Sequence, residues 1–169
     1  MQVKELGHLV LYVANLERSA AFYGDILGWE AAFPASLGFP AAAFTSGRTH
    51  HELLLIEVGE DAEPIGRGRR LGLYHFGLKV GDTDEELREA YDRLVAAGVT
   101  VVGTSDHTVT HSVYILDPDG NEIELYIDVA GVDWKADPSL IMAPIRPLAL
   151  SPSERRRTTP LTWAFAGQV

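Results

Sequence analysis

Two stretches of alternating apolar and polar residues open in the same way. His8–Val13 reads HLVLYV and His75–Val80 reads HFGLKV, each a histidine leading a strand-like run. After the first, Asn15 can cap a helix over about Leu16–Leu27, with Phe22 stacked against Ile26 and Ala20 and Gly28 as its stop. Three strand-like pieces follow, Glu30–Phe33, Ala41–Thr45 and His51–Val58, punctuated by Gly38, Pro40, Ser46 and Gly47. After the second, Asp82 with Glu85 gives a capping-box start. Leu87, Tyr91, Leu94 and Val95 then fall at helical spacing, and Gly98 ends the helix. Strands are predicted over Val99–Gly103, Ser112–Leu116 and Glu122–Ile127. The last two are joined by Asp117–Gly120 (DPDG), in which proline sets φ and glycine accepts a positive one.

Each copy therefore reads β-α-β-β-β, and the predicted class is α+β. Module one covers residues 3–58 and module two residues 73–128, together a domain over 1–128. Gly59–Gly72, with four glycines and three arginines, reads as an exposed linker. Residues 129–169 carry five of the nine prolines and the basic run Arg155–Arg157. They read as an irregular C-terminal extension, packed in part through Trp134, Ile141, Met142 and Trp163.

Composition narrows the chemistry. The 169 residues suit one domain of ordinary size. The net charge of −10 argues against a nucleic-acid or anionic-membrane partner. No apolar run approaches the roughly 20 residues that span a bilayer. The N-terminus lacks a signal-peptide pattern, so a cytoplasmic location is expected. The absence of cysteine removes disulfides, thiolate zinc sites, iron–sulfur clusters and thiol nucleophiles at once. Any metal site must use histidine nitrogen and carboxylate oxygen, from six histidines and 24 acids.

His8, His75 and Glu124 lie inside predicted strands, where an inward polar side chain needs a partner. A single strand histidine is usually hydrogen-bonded within the fold, and a single strand glutamate is usually solvated. The two histidines, however, stand at repeat-equivalent positions. Two imidazoles and one carboxylate on one face match a non-haem Fe(II) site with open positions.

At His8–Gly28, Leu73–His75 and Asp117–Leu125 (DPDGNEIEL) the sequence resembles the vicinal oxygen chelate superfamily. That group includes glyoxalase I, the fosfomycin and bleomycin resistance proteins and the type I extradiol dioxygenases. The resemblance covers about residues 3–128. It implies two βαβββ modules forming a curved mixed sheet around a metal-centred cavity, with His8, His75 and Glu124 as metal ligands.

Within the superfamily the chain most resembles the extradiol dioxygenases. His51, leading an apolar strand beside His50, matches their active-site acid/base. The stretch from His107 through Tyr114 to Glu124 is similar to their ring-cleavage signature. Ser105 departs from it, where the family has Gly, Asn, Thr or an aliphatic residue. The resemblance implies that His107 and Tyr114 contact the diol oxygens, with His111 as the alternative to His107. Asp117 and Asp119 read as turn formers.

The resemblance further implies an Fe(II) cofactor, although these ligand types also suit Mn(II). The expected substrates are a catechol-type diol and O2, the product a ring-opened semialdehyde acid, and the assembly a homodimer. Phe33, Phe39, Phe44, Trp134 and Met142 are the apolar candidates for lining a pocket.

Two other readings stay open. A glyoxalase-like lyase or isomerase would use a fourth ligand, a carboxylate in the last strand of module one, and bind Ni or Zn. By strand position His51 holds that place; a one-residue slip would put Glu52 there, and a longer one Glu57. A non-catalytic binder of a small hydrophobic ligand would not need the triad.

Overall fold

The computed structural model describes residues 1–32, 38–66 and 68–150. The chain divides into two compact units: Met1–Leu71 with Asp117–Asn121, and Gly72–Leu116 with the chain from Glu122 onward. The predicted α+β class and the β-α-β-β-β repeat are both present, as two mixed sheets.

In the first unit β1 (Leu9–Val13) pairs parallel with β4 (Leu53–Glu57). β3 (Ala41–Thr45) and β2 (Glu30–Ala31) continue the sheet antiparallel, in the order β1-β4-β3-β2. The predicted strand Glu30–Phe33 ends in a residue outside those described. The helix starts as expected, with the Asn15 side chain accepting from Arg18 N at 2.9 Å. It then differs from the expected single α-helix. α1 covers only Leu16–Ala21, and Phe22–Ile26 winds as a π-helix closed by Leu27 N to Phe22 O. Phe22 and Tyr23 are both buried there, two consecutive residues turned inward.

The second unit holds a five-stranded sheet ordered β5-β8-β7-β6-β9. Its strands are β5 (His75–Gly81), β6 (Val101–Asp106), β7 (Thr110–Leu116), β8 (Glu122–Asp128) and the short β9 (Arg146–Pro147). β8 alternates as the sequence suggests. Ile123, Leu125 and Ile127 are buried, while Glu122, Glu124 and Tyr126 occupy the other face. α2 (Asp84–Ala96) buries Leu87 and Leu94, whereas Val95 is exposed. Its cap lies one residue beyond the predicted one. Thr83, not Asp82, accepts from Glu86 N, and Glu86 in turn accepts from Thr83 Oγ1 and Asp82 N. Gly81 leaves room for this, since a Cβ there would lie 2.6 Å from Glu86 Cβ.

Residues 129–150 are largely irregular, with one short 3-10 helix at Pro138–Met142. The expected anchors do not hold them: Trp134, Ile141 and Met142 are exposed, and Trp163 lies outside the described residues. The segment is tied instead through its backbone, because a short sheet edge offers donors that irregular chain can satisfy. β9 pairs with β6, Thr104 Oγ1 donates to Leu148 O at 2.7 Å, and Leu150 is buried. No helix among the described residues is long and apolar enough to cross a membrane.

Candidate active site

Four of the residues singled out from the sequence converge in the second unit. His75 opens β5 opposite Glu122, and Gly77 lies opposite Glu124 in the parallel β5–β8 register. Tyr114 of β7 is the antiparallel partner of Glu124 on its other side. The register thus sets His75, Tyr114, Glu122 and Glu124 on one face, away from the α2-covered core. His75 Nε2 faces Glu124 Oε2 at 3.3 Å. Tyr114 donates its phenol proton to Glu124 Oε1 at 2.8 Å. His107 Nε2 lies 2.8 Å from the same hydroxyl, so that nitrogen carries the proton and donates to it.

Gly77 keeps this face open. A Cβ there would lie 3.2 Å from the Tyr126 ring and 3.9 Å from Glu124 Oε2. His107 leads the β6–β7 turn, where Thr108 takes a left-handed φ of 71°, costly for a β-branched residue. Asp106 Oδ1 accepts from Thr108 N at 2.7 Å and holds that turn.

Burial first, then the Glu124 carboxylate, push the Tyr114 phenol far above its ordinary range. Tyr114 therefore stays a neutral donor through the physiological pH range.

His111 does not join this group. It stands an odd number of residues from Tyr114, on the opposite face of β7, and pairs with Asp84 Oδ1. Of the two histidines weighed for substrate contact, the structure brings His107 to Tyr114 and Glu124.

His8, His50 and His51 belong to the first unit. The His8 and His51 rings lie 4.7 Å apart, and His50 and His51 share a hydrogen bond between their Nδ1 atoms. Desolvation, then His50 and His8, lower the His51 pKa, so its imidazole is neutral near pH 7.

The two units carry comparable registers. Leu9 pairs with Leu53 and its N–H bonds Glu52 O, which sets His8 opposite Glu52 as His75 is set opposite Glu122. Two residues on, Val10 pairs with Leu54 where Gly77 pairs with Glu124. Leu54, not His51 as the strand position suggested, therefore holds the place of Glu124 in the first unit. The carboxylates weighed as a fourth ligand are both engaged locally. Glu52 accepts from Ser46 N and Oγ at 2.6 and 2.7 Å and pairs with Arg48. Glu57 Oε2 accepts from Leu16 N at 2.7 Å.

Among the described residues no group of three or more His, Asp or Glu side chains is gathered as a metal cluster. The donor set of the second unit nonetheless fits a divalent ion. His75 Nε2 and Glu124 Oε2 face each other without hydrogen-bond geometry. Their 3.3 Å separation is close to the edge of an octahedron with bonds of about 2.1 Å, roughly 3.0 Å. A neutral nitrogen donor beside a carboxylate oxygen suits Fe(II) or Mn(II).

The sequence reasoning passed over Glu122 and Tyr74. Glu122 Oε1 lies 3.5 Å from His75 Nδ1, and burial, then the Glu122 carboxylate, raise the Tyr74 phenol pKa. The i, i+2 spacing of Glu122 and Glu124 on one strand was the available sign. Asp117 and Asp119 also do more than form a turn. Asp117 is buried and accepts from Tyr23, Asp119 N, Asn121 N and Asn121 Nδ2. Asp119 pairs with Arg18 and accepts from Ala14 N and Ser19. Of the apolar pocket candidates, Phe44 is core, packed near Tyr23. Phe39, Trp134 and Met142 are exposed, and Phe33 lies outside the described residues.

The model of the Glyoxalase/Bleomycin resistance protein/Dioxygenase superfamily matches residues 5–125, and the chain belongs to that superfamily. Catechol-2,3-dioxygenase of Bacillus subtilis (strain 168) is 33% identical over 132 residues, which cover 78% of this chain and 44% of the relative. The chain thus spans less than half the length of that enzyme. Lactoylglutathione lyase of Neisseria meningitidis serogroup A / serotype 4A is 30% identical over 135 residues, covering 75% of this chain and 92% of the lyase. In fold, the chain is similar to a glyoxalase/dioxygenase from Nostoc punctiforme. That comparison gives a TM-score of 0.60 over 75% of this chain and 92% of the other, at 22% identity.

Proposed function

We propose that the chain is a metal-dependent extradiol dioxygenase. It cleaves a catechol-type ring with O2 to a ring-opened semialdehyde acid. The observation that carries this reading is the contact of His107, Tyr114, Glu124 and His75 on one face of the second sheet. His75 and Glu124 would hold Fe(II), or Mn(II), together with His8 as the resemblance implies. When bound, such a metal would supply an electron route from the diol ring to dioxygen.

The chain's own residues have separate tasks. The Tyr114 phenol and His107 Nε2–H, which donate to Glu124 and to Tyr114 in the free chain, would turn to the diol oxygens when substrate binds. As the resemblance implies, His51, neutral near pH 7, would accept a proton as oxygen is reduced and return it as the O–O bond breaks. The overall change breaks the ring C–C bond beside the diol and places one oxygen atom on each carbon released. The diol ring is oxidised and O2 is reduced, so no further reductant is consumed.

The similarity to lactoylglutathione lyase, over most of that enzyme's length, keeps a lyase as the second reading. Two features support the dioxygenase over it. Leu54 occupies the place of a fourth carboxylate, and Glu52 and Glu57 are held by Ser46, Arg48 and Leu16 N.

The test is anaerobic loading with Fe(II), then catechol and air. A yellow product and matching oxygen uptake are expected. No uptake across a panel of catechols, with formation of lactoylglutathione under Ni(II) or Zn(II), would replace this reading by the lyase.

A further inference from the structure

His75 is held between two carboxylates, one at each ring nitrogen. Glu124 Oε2 lies 3.3 Å from Nε2 and Glu122 Oε1 lies 3.5 Å from Nδ1. The parallel register accounts for this, because Glu122 is the direct cross-strand partner of His75 and Glu124 follows on the same face. His75 Nδ1 and Glu122 Oε1 are both buried, and neither has a hydrogen-bond partner among the described residues. Buried polar atoms in folded proteins are nearly always paired, and these two face one another just short of a bond. Tyr74 stands beside this pair: burial and then the Glu122 carboxylate raise its phenol pKa, and its ring lies 4.6 Å from that of His75.

We propose that Glu122, beside Tyr74, is a positioning residue that accepts a hydrogen bond from the Nδ1–H of His75 and so leaves the Nε2 lone pair to a divalent metal. The proposal rests on the reading of His75 as a ligand. A neutral imidazole has one N–H and one lone pair. With the proton fixed at Nδ1 only Nε2 can ligate, and the ring loses its freedom to flip. Glu124 then serves as ligand and Glu122 as orienter, two carboxylates of one strand with different tasks. A carboxylate at Nδ1 also makes the ligating nitrogen more basic.

The experiment is Co(II) titration of the full chain by calorimetry, comparing E122L, E122Q and H75A. E122L should bind about 10- to 100-fold more weakly. E122Q, whose amide oxygen still accepts from Nδ1–H, should stay within about three-fold of the unsubstituted chain. In the Zn(II)-loaded protein, nitrogen-resolved NMR should show a slowly exchanging proton on His75 Nδ1, retained in E122Q and lost in E122L. Unsubstituted affinity in E122L, with binding lost in H75A, overturns the role of Glu122 alone. Binding that survives in H75A overturns the ligand reading and this proposal with it. Coordination of His75 through Nδ1 in the zinc-loaded chain overturns the proposal without recourse to any variant.

Discussion

The Tyr114 hydroxyl accepts from His107 and donates to Glu124. It is the residue on which the substrate-binding half of the proposal depends. Tyr114→Phe keeps the buried ring and removes only that hydroxyl. Turnover of catechol should fall by about 100-fold, as for loss of a fixed donor, while metal affinity stays near that of the unsubstituted chain. Paired turnover and metal-titration measurements check this, and a matched fall in metal affinity would recast Tyr114 as a support for Glu124. The phenol is held far above its ordinary pKa, so no alkaline limb from Tyr114 is expected below about pH 10. At this scale the sequence identified the residue types, and Tyr114 and Glu124 share a register only through pairing of separate strands. The preference for His107 over His111 rested on resemblance alone, because the turn at Thr108 resets which face the chain presents.

Among the elements, α2 shows how local sequence can carry two answers. Residues 82–86 contain both Asp82 with Glu85 and Thr83 with Glu86, and either pair fits a capping box. Burial of Leu87 and Leu94 sets the helix phase that selects Thr83 and Glu86. The hydrogen bonds from Asp82 N and Thr83 hold the Glu86 carboxyl below its usual range, against a smaller opposing desolvation. A depressed carboxyl pKa stabilises the fold above the ordinary carboxylate pKa of about 4.3, and that contribution is lost as pH falls through the lower folded value. Glu86→Gln should therefore lower the Tm at pH 7, and the gap between the two proteins should close on acidification below about pH 5. Thermal melts at several pH values check this. A gap that does not change with pH would mean that the charge of Glu86 contributes nothing beyond its hydrogen bonds.

For the whole molecule, the informative contact joins residues 94 positions apart. Tyr23 is fully buried and donates to Asp117 Oδ2 at 2.8 Å, which ties the π-helical turn to the DPDG segment within the first unit. Asp117 has three further hydrogen-bond donors, so its charge is well satisfied as long as each partner stays. Tyr23→Phe removes one donor from a buried carboxylate and should cost about 1.5–3 kcal/mol, read by urea unfolding. A loss below about 0.5 kcal/mol would show that the remaining donors satisfy Asp117 alone.

The sequence by itself determined the α+β repeat, the strand alternation that separates Glu122 and Glu124 from Ile123 and Leu125, and the histidine–carboxylate chemistry forced by the lack of cysteine. These follow from local periodicity and composition, which a chain carries without its fold. Tertiary structure decided what depends on register between distant strands. It set Glu122 at one nitrogen of His75 and Glu124 at the other, brought His107 rather than His111 to Tyr114, and put Leu54 where a fourth carboxylate would stand. Cross-strand pairing is fixed by the joint packing of whole sheets, so no stretch of sequence shows it alone.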